Sequence, residues 1–404
     1  DKMKIRKSLI ALAGVLALSA CGQEAEEKKN VTLTVWSPAE DQDESQGNWL
    51  QTMCDEFAAA NPQWEIEFKY GTVSEEAIGK TVVQDPKNSA DVYMFSNDQI
   101  GTLLDADAIA KLGGEAAEDV KKNNSQLIID SVTKDDAIYG IPFTTNTWFM
   151  YYDKSAFSED DIKSLDVMLE KGKVAFPMTT AWYNGSFFLA NGATLFGDGS
   201  DASKGIDFGG EKGLQTVNYM VDLVANPNFV NDADGAGLSN LRSGEVKAYF
   251  SGSWDYAQVK EILGDNLGAS QLPMVNINGT DKQMLSFAGS KAIGVNPNCE
   301  DQEVAVALAR FLGSSEAQLK HYEMRSVIPC SNELLSDPTI SKDILINAQN
   351  DTIANTSIIQ PTLSEMAPYW IAAETFGKAL IAKDITKDNA QQKLDDYVTQ
   401  LNNQ

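Results

Sequence analysis

Val31-Thr32-Leu33-Thr34-Val35-Trp36 alternates apolar and polar residues and then meets Ser37-Pro38, a pattern typical of a strand and its exit loop. A helix is predicted over residues 47–60, and a second alternating strand over residues 65–70. Residues 91–95 form a short apolar run suited to a strand buried in a parallel sheet. This order of strands and helices predicts an open α/β sheet, in which ligands bind beyond the carboxyl ends of the strands.

The second half of the chain shows the same kind of alternation. Helices are predicted over residues 211–225, 254–264 and 301–325, and strands over residues 248–250, 268–273 and 292–296. The last third is helical by pattern. A length of 404 residues is two to three times that of a typical domain, so we expect two domains.

Charge and histidine content exclude several classes of function. The 58 acidic residues outnumber the 32 basic ones and give a formal charge of −26, which would repel nucleic acid phosphates. The single histidine, His321, cannot build a multi-histidine metal site. It lies in an amphipathic helix pattern, which favours a packed or surface position over a role as a catalytic base. The sequence therefore predicts no metal, no cofactor and no nucleic acid partner.

The N-terminus is predicted to be an export signal. Four basic residues precede the apolar run 9–18, which as a helix would rise only about 15 Å and could not cross a core of about 30 Å. Residues 1–20 are therefore predicted to be a secretory signal peptide. The run ends in Leu18-Ser19-Ala20-Cys21-Gly22, which resembles a bacterial lipobox and implies lipid on Cys21, with residues 21–30 as a tether. The alternative is an ordinary signal peptide with a cysteine near its cleavage site.

Three further cysteines lie in the mature chain. Cys54 falls on the apolar face of a predicted helix and is expected in a core. Cys299 and Cys330 flank the helix predicted over residues 301–325 and could pair outside the cell, but the sequence leaves that pairing open.

Beyond the lipobox, several short motifs together resemble a known family. They are Leu33-Thr34-Val35-Trp36, Ser89-Ala90-Asp91-Val92, Tyr139-Gly140-Ile141-Pro142, Ser243-Gly244-Glu245-Val246-Lys247-Ala248, Ser251-Gly252-Ser253-Trp254, the stretch 289–296, the stretch 311–318 and Arg325-Ser326-Val327-Ile328-Pro329. Their order and spacing resemble the extracellular solute-binding lipoproteins of bacterial carbohydrate ABC importers, the maltose/maltodextrin-binding type.

The resemblance implies a two-lobed α/β fold of the periplasmic-binding-protein kind. Each lobe would be an open, mostly parallel sheet flanked by helices, with the ligand cleft between the lobes. One lobe would comprise residues 31–143 plus 289–332, and the other residues 144–288 plus 333–404. The implied function is to capture an oligosaccharide, above all maltose or a malto-oligosaccharide, and deliver it to the transmembrane subunits of an ABC permease. We expect a monomer without enzymatic activity, held by its lipid anchor at the extracellular face of the bacterial cytoplasmic membrane.

Aromatic candidates for the site follow from the same resemblance. A sugar presents apolar C–H faces, which flat aromatic rings can cover. By position, Trp182, Trp254 and Trp370 match stacking aromatics, Phe95 replaces a tryptophan, and Tyr256 falls at another aromatic position.

Polar candidates would bind the sugar hydroxyls. Glu40, Asp41 and Asp98 follow predicted strand ends in the first lobe. Asn146 stands where the family pattern has a carboxylate, and Glu374 where it has a basic residue. These departures leave the exact sugar open.

Two other classes of function are compatible with the sequence. A secreted glycoside hydrolase needs only two carboxylates and no histidine, so composition does not exclude it. A surface carbohydrate adhesin would also explain an anchor. Binding of an oligosaccharide without release of products distinguishes the solute-binding protein from the hydrolase.

Overall fold

A computed structural model describes residues 27–403 of the chain. The predicted signal peptide, Cys21 and the first part of the predicted tether lie outside these residues. Within the described part, no helix is both long and apolar enough to span a bilayer.

The strands of the described chain run in the following order. They are β1 (Lys29–Ser37), β2 (Trp64–Thr72), β3 (Val92–Ser96), β4 (Thr133–Lys134), β5 (Ala137–Ile138), β6 (Ile141–Asn146), β7 (Phe149–Asp153), β8 (Val174–Phe176), β9 (Phe229–Asn231), β10 (Ala248–Ser251), β11 (Leu267–Ser270), β12 (Met274–Ile277), β13 (Thr280–Gln283), β14 (Ser286–Val295) and β15 (Ser357–Ile359).

The α-helices are distributed along the whole described chain. They are α1 (Trp49–Ala60), α2 (Ile78–Val82), α3 (Ile100–Asp105), α4 (Gly114–Asn123), α5 (Gln126–Ser131), α6 (Leu165–Lys171), α7 (Ala181–Asn184), α8 (Ser186–Ala190), α9 (Gly210–Ala225), α10 (Ala236–Ser243), α11 (Tyr256–Leu263), α12 (Gln302–Leu312), α13 (Ser315–Arg325), α14 (Asn332–Leu335), α15 (Ile344–Asn355), α16 (Ala367–Ile381) and α17 (Ala390–Leu401).

Two main sheets define the two lobes. The sheet of the first lobe has six strands in the order β15-β14-β3-β1-β2, with β6 also paired to β14. The sheet of the second lobe has five strands in the order β11-β7-β10-β8-β9. Three of the five strand pairs in the first sheet and two of the four in the second are parallel. The antiparallel pairs of these sheets all include β7 or β14, the strands by which the chain enters and leaves the second lobe.

Alternation in the sequence explains the first strand. Val31, Leu33 and Val35 of β1 point into the core of the first lobe and are buried, whereas the residues between them are more exposed. All nine residues of β1 pair in parallel with β2. The helix between them, α1, begins after Asn48, whose side chain accepts a hydrogen bond from the main chain of Gln51. The sequence thus positions both strands and the connecting helix.

The prediction of one long helix over residues 301–325 requires a correction. The structure contains two helices there, α12 and α13, separated by Gly313 and Ser314. Ser314 is an N-cap: its hydroxyl accepts a hydrogen bond from the main chain of Ala317 at 3.2 Å. An N-cap serine at this position starts a new helix, and the apolar periodicity alone does not reveal it.

The chain passes between the lobes at short segments. It leaves the first sheet at the end of β6 and enters the second at the start of β7, with two residues between these strands. It returns along β14, whose first residues pair with β15 and whose last residues pair with β3. The residue limits of the two lobes, as given by the sequence, stay a prediction.

Candidate ligand-binding groove

A groove with a cavity volume of about 180 Å³ lies between the two sheets. Both lobes and the crossover strands contribute to it; the lining residues are Glu76, Ser96, Asn97, Asp98, Asn146, Trp182, Phe287, Ala288, Gly289, Ser290, Lys291 and Gln360. Three of the residues predicted from the sequence, Asp98, Asn146 and Trp182, therefore line one groove.

The first lobe supplies a polar wall at the carboxyl end of β3. A tight turn over Asn97–Gln99 follows this strand. The Asn97 side chain accepts a hydrogen bond from the main-chain nitrogen of Ser290 at 3.1 Å. The turn approaches β14 closely because Gly289 has no side chain: a Cβ there would lie 2.7 Å from Asn97 Oδ1. This contact fixes the main chain that carries Asp98.

Charge on this wall is concentrated around one lysine. Lys291 Nζ lies 3.2 Å from a Glu76 oxygen and 3.8 Å from a Glu75 oxygen. Burial of Glu75 raises the pKa of its carboxyl group, and the nearby Lys291 partly offsets that rise. Among the described groove-lining residues, carboxylates Glu76 and Asp98 face a single cation that is already paired.

The second lobe supplies an aromatic wall. The rings of Trp182 and Trp254 lie 5.8 Å apart at an interplanar angle of 37°. Trp254 is 49% exposed, an unusual position for so large an apolar side chain. Its turn is held from behind by Asp255, whose carboxylate accepts hydrogen bonds from Tyr249 at 2.9 Å and Ser251 at 2.6 Å. An exposed, supported indole beside a groove is a surface ready to stack on a ligand.

Trp370 does not line the groove itself but packs against a ring that does. It is half-buried on α16, and its ring meets Phe287 edge-on at 6.1 Å. Phe287 lines the groove together with Trp182. The three predicted tryptophans therefore gather around one groove, with Trp370 behind its floor.

Phe95 requires a correction. The sequence places it among the stacking residues, but its side chain is fully buried in the core of the first lobe. Its ring lies 6.1 Å from that of Tyr93 in an edge-on arrangement. Because residues 92–95 are all buried, this strand has no alternation from which a groove-facing side chain can be recognised.

Asp41 also requires a correction. It follows the end of β1, as predicted, but its side chain is fully buried and does not line the groove. It pairs with Arg325 and lies 2.7 Å from His321. His321 in turn stacks on Trp49 at 3.8 Å, and burial lowers its pKa. Asp41 is therefore a buried ion-pair partner within the first lobe, and it is not among the residues that line the groove.

Three other predicted residues lie outside the lining of the groove in this structure. Glu40 is exposed beside Asp41. Glu374 is exposed on α16 and pairs with Lys378 at 2.6 Å. Tyr256 is half-buried at the start of α11, where Lys260 lies 5.9 Å from its ring centre.

Sequence reasoning missed several lining residues. The family resemblance also implies a crossover between the lobes near residues 287–291, and a crossover forms part of the floor of the cleft between two lobes. Phe287 and Lys291 could therefore have been predicted from the sequence. Glu76 and Gln360 carry no comparable signal: Glu76 lies four residues after the end of β2, and Gln360 follows β15, a strand that the sequence does not predict.

The three cysteines of the described residues do not line this groove. Cys54, Cys299 and Cys330 are buried free thiols, so the pairing left open by the sequence is not formed in this structure. No cluster of potential metal ligands is present among residues 27–403.

A family model described as the bacterial extracellular solute-binding protein matches residues 52–348 of the chain. The chain belongs to this family. The match spans most of the chain and both lobes. It confirms the resemblance predicted from the sequence motifs, to the solute-binding proteins of bacterial carbohydrate ABC importers.

Relatives of this solute-binding protein fall into two named sugar classes. The galactooligosaccharide-binding protein of Bacillus subtilis (strain 168) is 26% identical over 91% of this chain and 90% of its own length. The maltooligosaccharide ABC transporter solute-binding lipoprotein of Streptococcus pneumoniae (strain ATCC BAA-255 / R6) is 25% identical over 71% of this chain and 70% of its own.

Solved structures share the fold of this solute-binding protein. One, described as being with acarbose, is 52% identical, covers 93% of this chain and 99% of that chain, and has a TM-score of 0.78. The maltodextrin-binding protein MalE1 from L. casei BL23, solved without ligand, is 25% identical, covers 92% and 99% of the two chains, and has a TM-score of 0.82. The predicted two-lobed α/β fold is confirmed.

Proposed function

We propose that this solute-binding protein captures a neutral oligosaccharide of glucose, a malto-oligosaccharide above all, in the groove between its lobes. The observation that carries the proposal is Trp182, which lines the groove together with hydrogen-bonding side chains of the first lobe and whose ring lies 5.8 Å from that of the exposed Trp254. A sugar ring has apolar faces and polar edges, and this groove offers one kind of surface for each.

The charge of the groove favours a neutral ligand. Two carboxylates, Glu76 and Asp98, line it, and Lys291 is already paired with Glu76 at 3.2 Å. An anionic ligand would be repelled by the free carboxylate and would have to compete with Glu76 for the lysine. The hydroxyls of a neutral sugar can donate to these carboxylates without such competition.

The relatives support an oligosaccharide and narrow its chemistry to α-glucosides or galactosides. The solved structure that is 52% identical to this chain is described as being with acarbose, so acarbose belongs among the probes. A maltooligosaccharide binder and a galactooligosaccharide binder are about equally distant in sequence. We favour malto-oligosaccharides because the sequence motifs resemble the maltodextrin-binding type.

Titration calorimetry tests the proposal directly. Maltotetraose, acarbose, a galacto-oligosaccharide and a β-linked glucose oligosaccharide are each added to the protein, and the mixtures are then analysed for products by chromatography. We expect heat on adding maltotetraose, with a dissociation constant of about micromolar, and no new sugars. Release of glucose or maltose would show a hydrolase instead, and binding of only the galacto-oligosaccharide would overturn the choice of sugar.

Delivery to a permease and the lipid anchor complete the proposal. The protein would act as a monomer held at the outer face of the cytoplasmic membrane through Cys21, passing its ligand to the membrane subunits of an ABC importer. Replacement Cys21→Ala tests the anchor in cells. The wild-type protein should stay with the membrane fraction, and the variant should appear in the medium; retention of the variant would contradict the anchor.

A further inference from the structure

The stacking residue Trp182 lies on α7, a helix of only four residues. A single helical turn is unstable by itself, because fixing its dihedral angles costs more than its few hydrogen bonds return. Its N-cap, Thr180, forms no side-chain capping bond. Something outside the turn must therefore hold it in place.

Two buried side chains hold the carbonyl groups of this turn. The phenol of Tyr369 donates a hydrogen bond to the Ala181 oxygen at 2.5 Å. The indole of Trp148 donates to the Trp182 oxygen at 3.2 Å. Both donors are fully buried, so each bond is shielded from water. They satisfy carbonyls that a short helix leaves without intrahelical partners.

A third buried side chain joins the turn to α16. Asn184 Nδ2 donates to the Met178 oxygen at 2.9 Å and to the Ala373 oxygen at 2.7 Å. The helix can approach this closely because Gly377 lacks a side chain: a Cβ there would lie 2.1 Å from the Met178 oxygen. Since α16 also carries Trp370, these hydrogen bonds of Asn184 fix the position of Trp182 relative to Trp370.

We propose that Tyr369, with Trp148 and Asn184, is a positioning residue that holds Trp182 in the orientation needed to stack on the ligand. Tyr369 itself is fully buried, so it acts through the turn and not through contact with the sugar. An aromatic ring that is already ordered loses less freedom on binding than a mobile one. Only the binding experiments that test this inference rest on the proposed function.

Tyr369→Phe tests the inference because it removes one hydroxyl and keeps the ring. Calorimetry with maltotetraose should give a dissociation constant about three- to tenfold higher than that of the wild type. In a Trp182→Ala background the same change should alter the dissociation constant less than about twofold, because the ring to be positioned is absent. A general loss of stability would affect both backgrounds alike.

Tyr93→Phe is the matched control. Tyr93 is also fully buried and donates to a main-chain oxygen, that of Ala108, at 2.7 Å, but it does so in the first lobe. Both variants should lower the melting temperature similarly, and only Tyr369→Phe should weaken binding. Equal affinity of the two variants, or an equal effect of Tyr369→Phe with and without Trp182, would overturn the inference.

A measurement without ligand separates this inference from the proposed function. The protein is labelled with 5-fluorotryptophan, and the Trp182 signal is assigned from its loss in Trp182→Phe. In Tyr369→Phe the fluorine resonance of Trp182 should shift or broaden, and in Tyr93→Phe it should not. An unchanged Trp182 resonance would overturn the inference, whereas a wild-type protein that binds no oligosaccharide would overturn the proposed function alone.

Discussion

Replacing Trp254 by alanine is expected to weaken oligosaccharide binding about tenfold without unfolding the protein. Trp254 is 49% exposed, so about half of its surface is available to a ligand and contributes nothing to the core. Its neighbour Trp182, 5.8 Å away, borders the groove directly. The variant therefore removes a stacking surface while the core of the second lobe stays intact.

The exposed area of the ring sets the size of the effect. A tryptophan can bury about 150–250 Å², so about 100 Å² of Trp254 remains free to contact a sugar. If a sugar ring covers about 60 Å² of that surface, burial at about 25 cal/mol per Å² supplies about 1.5 kcal/mol. This corresponds to about a tenfold change in dissociation constant.

Tyr70 provides the control for this prediction. It is 36% exposed on β2, a strand at the far edge of the first sheet. Calorimetry with maltotetraose and thermal unfolding should be measured for Trp254→Ala, Tyr70→Ala and the wild type. An affinity of Trp254→Ala within twofold of the wild type would refute the stacking role, and equal losses in both variants would indicate a general structural effect.

Three further predictions concern stability. Asp41→Asn should lower the free energy of unfolding by about 3 kcal/mol in urea titrations, because it leaves Arg325 without its buried anionic partner; a loss under about 1 kcal/mol would contradict this role. Burial lowers the pKa of His321, so below pH about 6.5 the unfolded chain binds a proton that the folded chain excludes, and stability should fall from pH 6.5 to 5. His321→Gln should make the free energy of unfolding depend less on pH between 6.5 and 5, and an unchanged pH dependence would show that other groups are responsible. Gly377→Ala should cost about 1–3 kcal/mol, because its Cβ would lie 2.1 Å from the Met178 oxygen; a melting temperature equal to the wild type would show that α16 can shift freely.

The sequence predicts the strand ends but not the direction of the side chains that follow them. Asp41 lies four residues after the end of β1, and Asp98 lies two residues after the end of β3. Asp98 lines the groove, whereas Asp41 turns inward because Arg325 and His321, about 280 positions further along the chain, meet it there. Neither periodicity nor composition reveals a partner at that separation.

Aromatic residues also show where the sequence does and does not reveal a side chain's position. Trp182 could be recognised because its neighbours in the sequence are polar, and the structure places it beside the groove. Phe95 could not be excluded, since a strand buried on both faces gives every side chain the same apolar surroundings. Pattern reasoning therefore works best for functional residues whose sequence neighbours are polar and worst for those on a buried strand.

Strand β14 links the two walls of the groove physically. Phe287, near its start, packs in the core of the second lobe and supports Trp370, whereas Lys291, four residues later, pairs with Glu76 of the first lobe. The pairing of β14 with β6 shifts register between Lys291 and Ala292, and such irregularities allow a strand to bend. The shift lies just beyond Lys291, so a bend there tilts the start of β14, which carries Phe287, relative to the part of β14 that pairs with β3. Such a tilt changes the distance between the aromatic and the polar walls. Under the proposed function, only a ligand long enough to contact both walls gains contacts as that distance shortens, and only such a ligand can drive the lobes together.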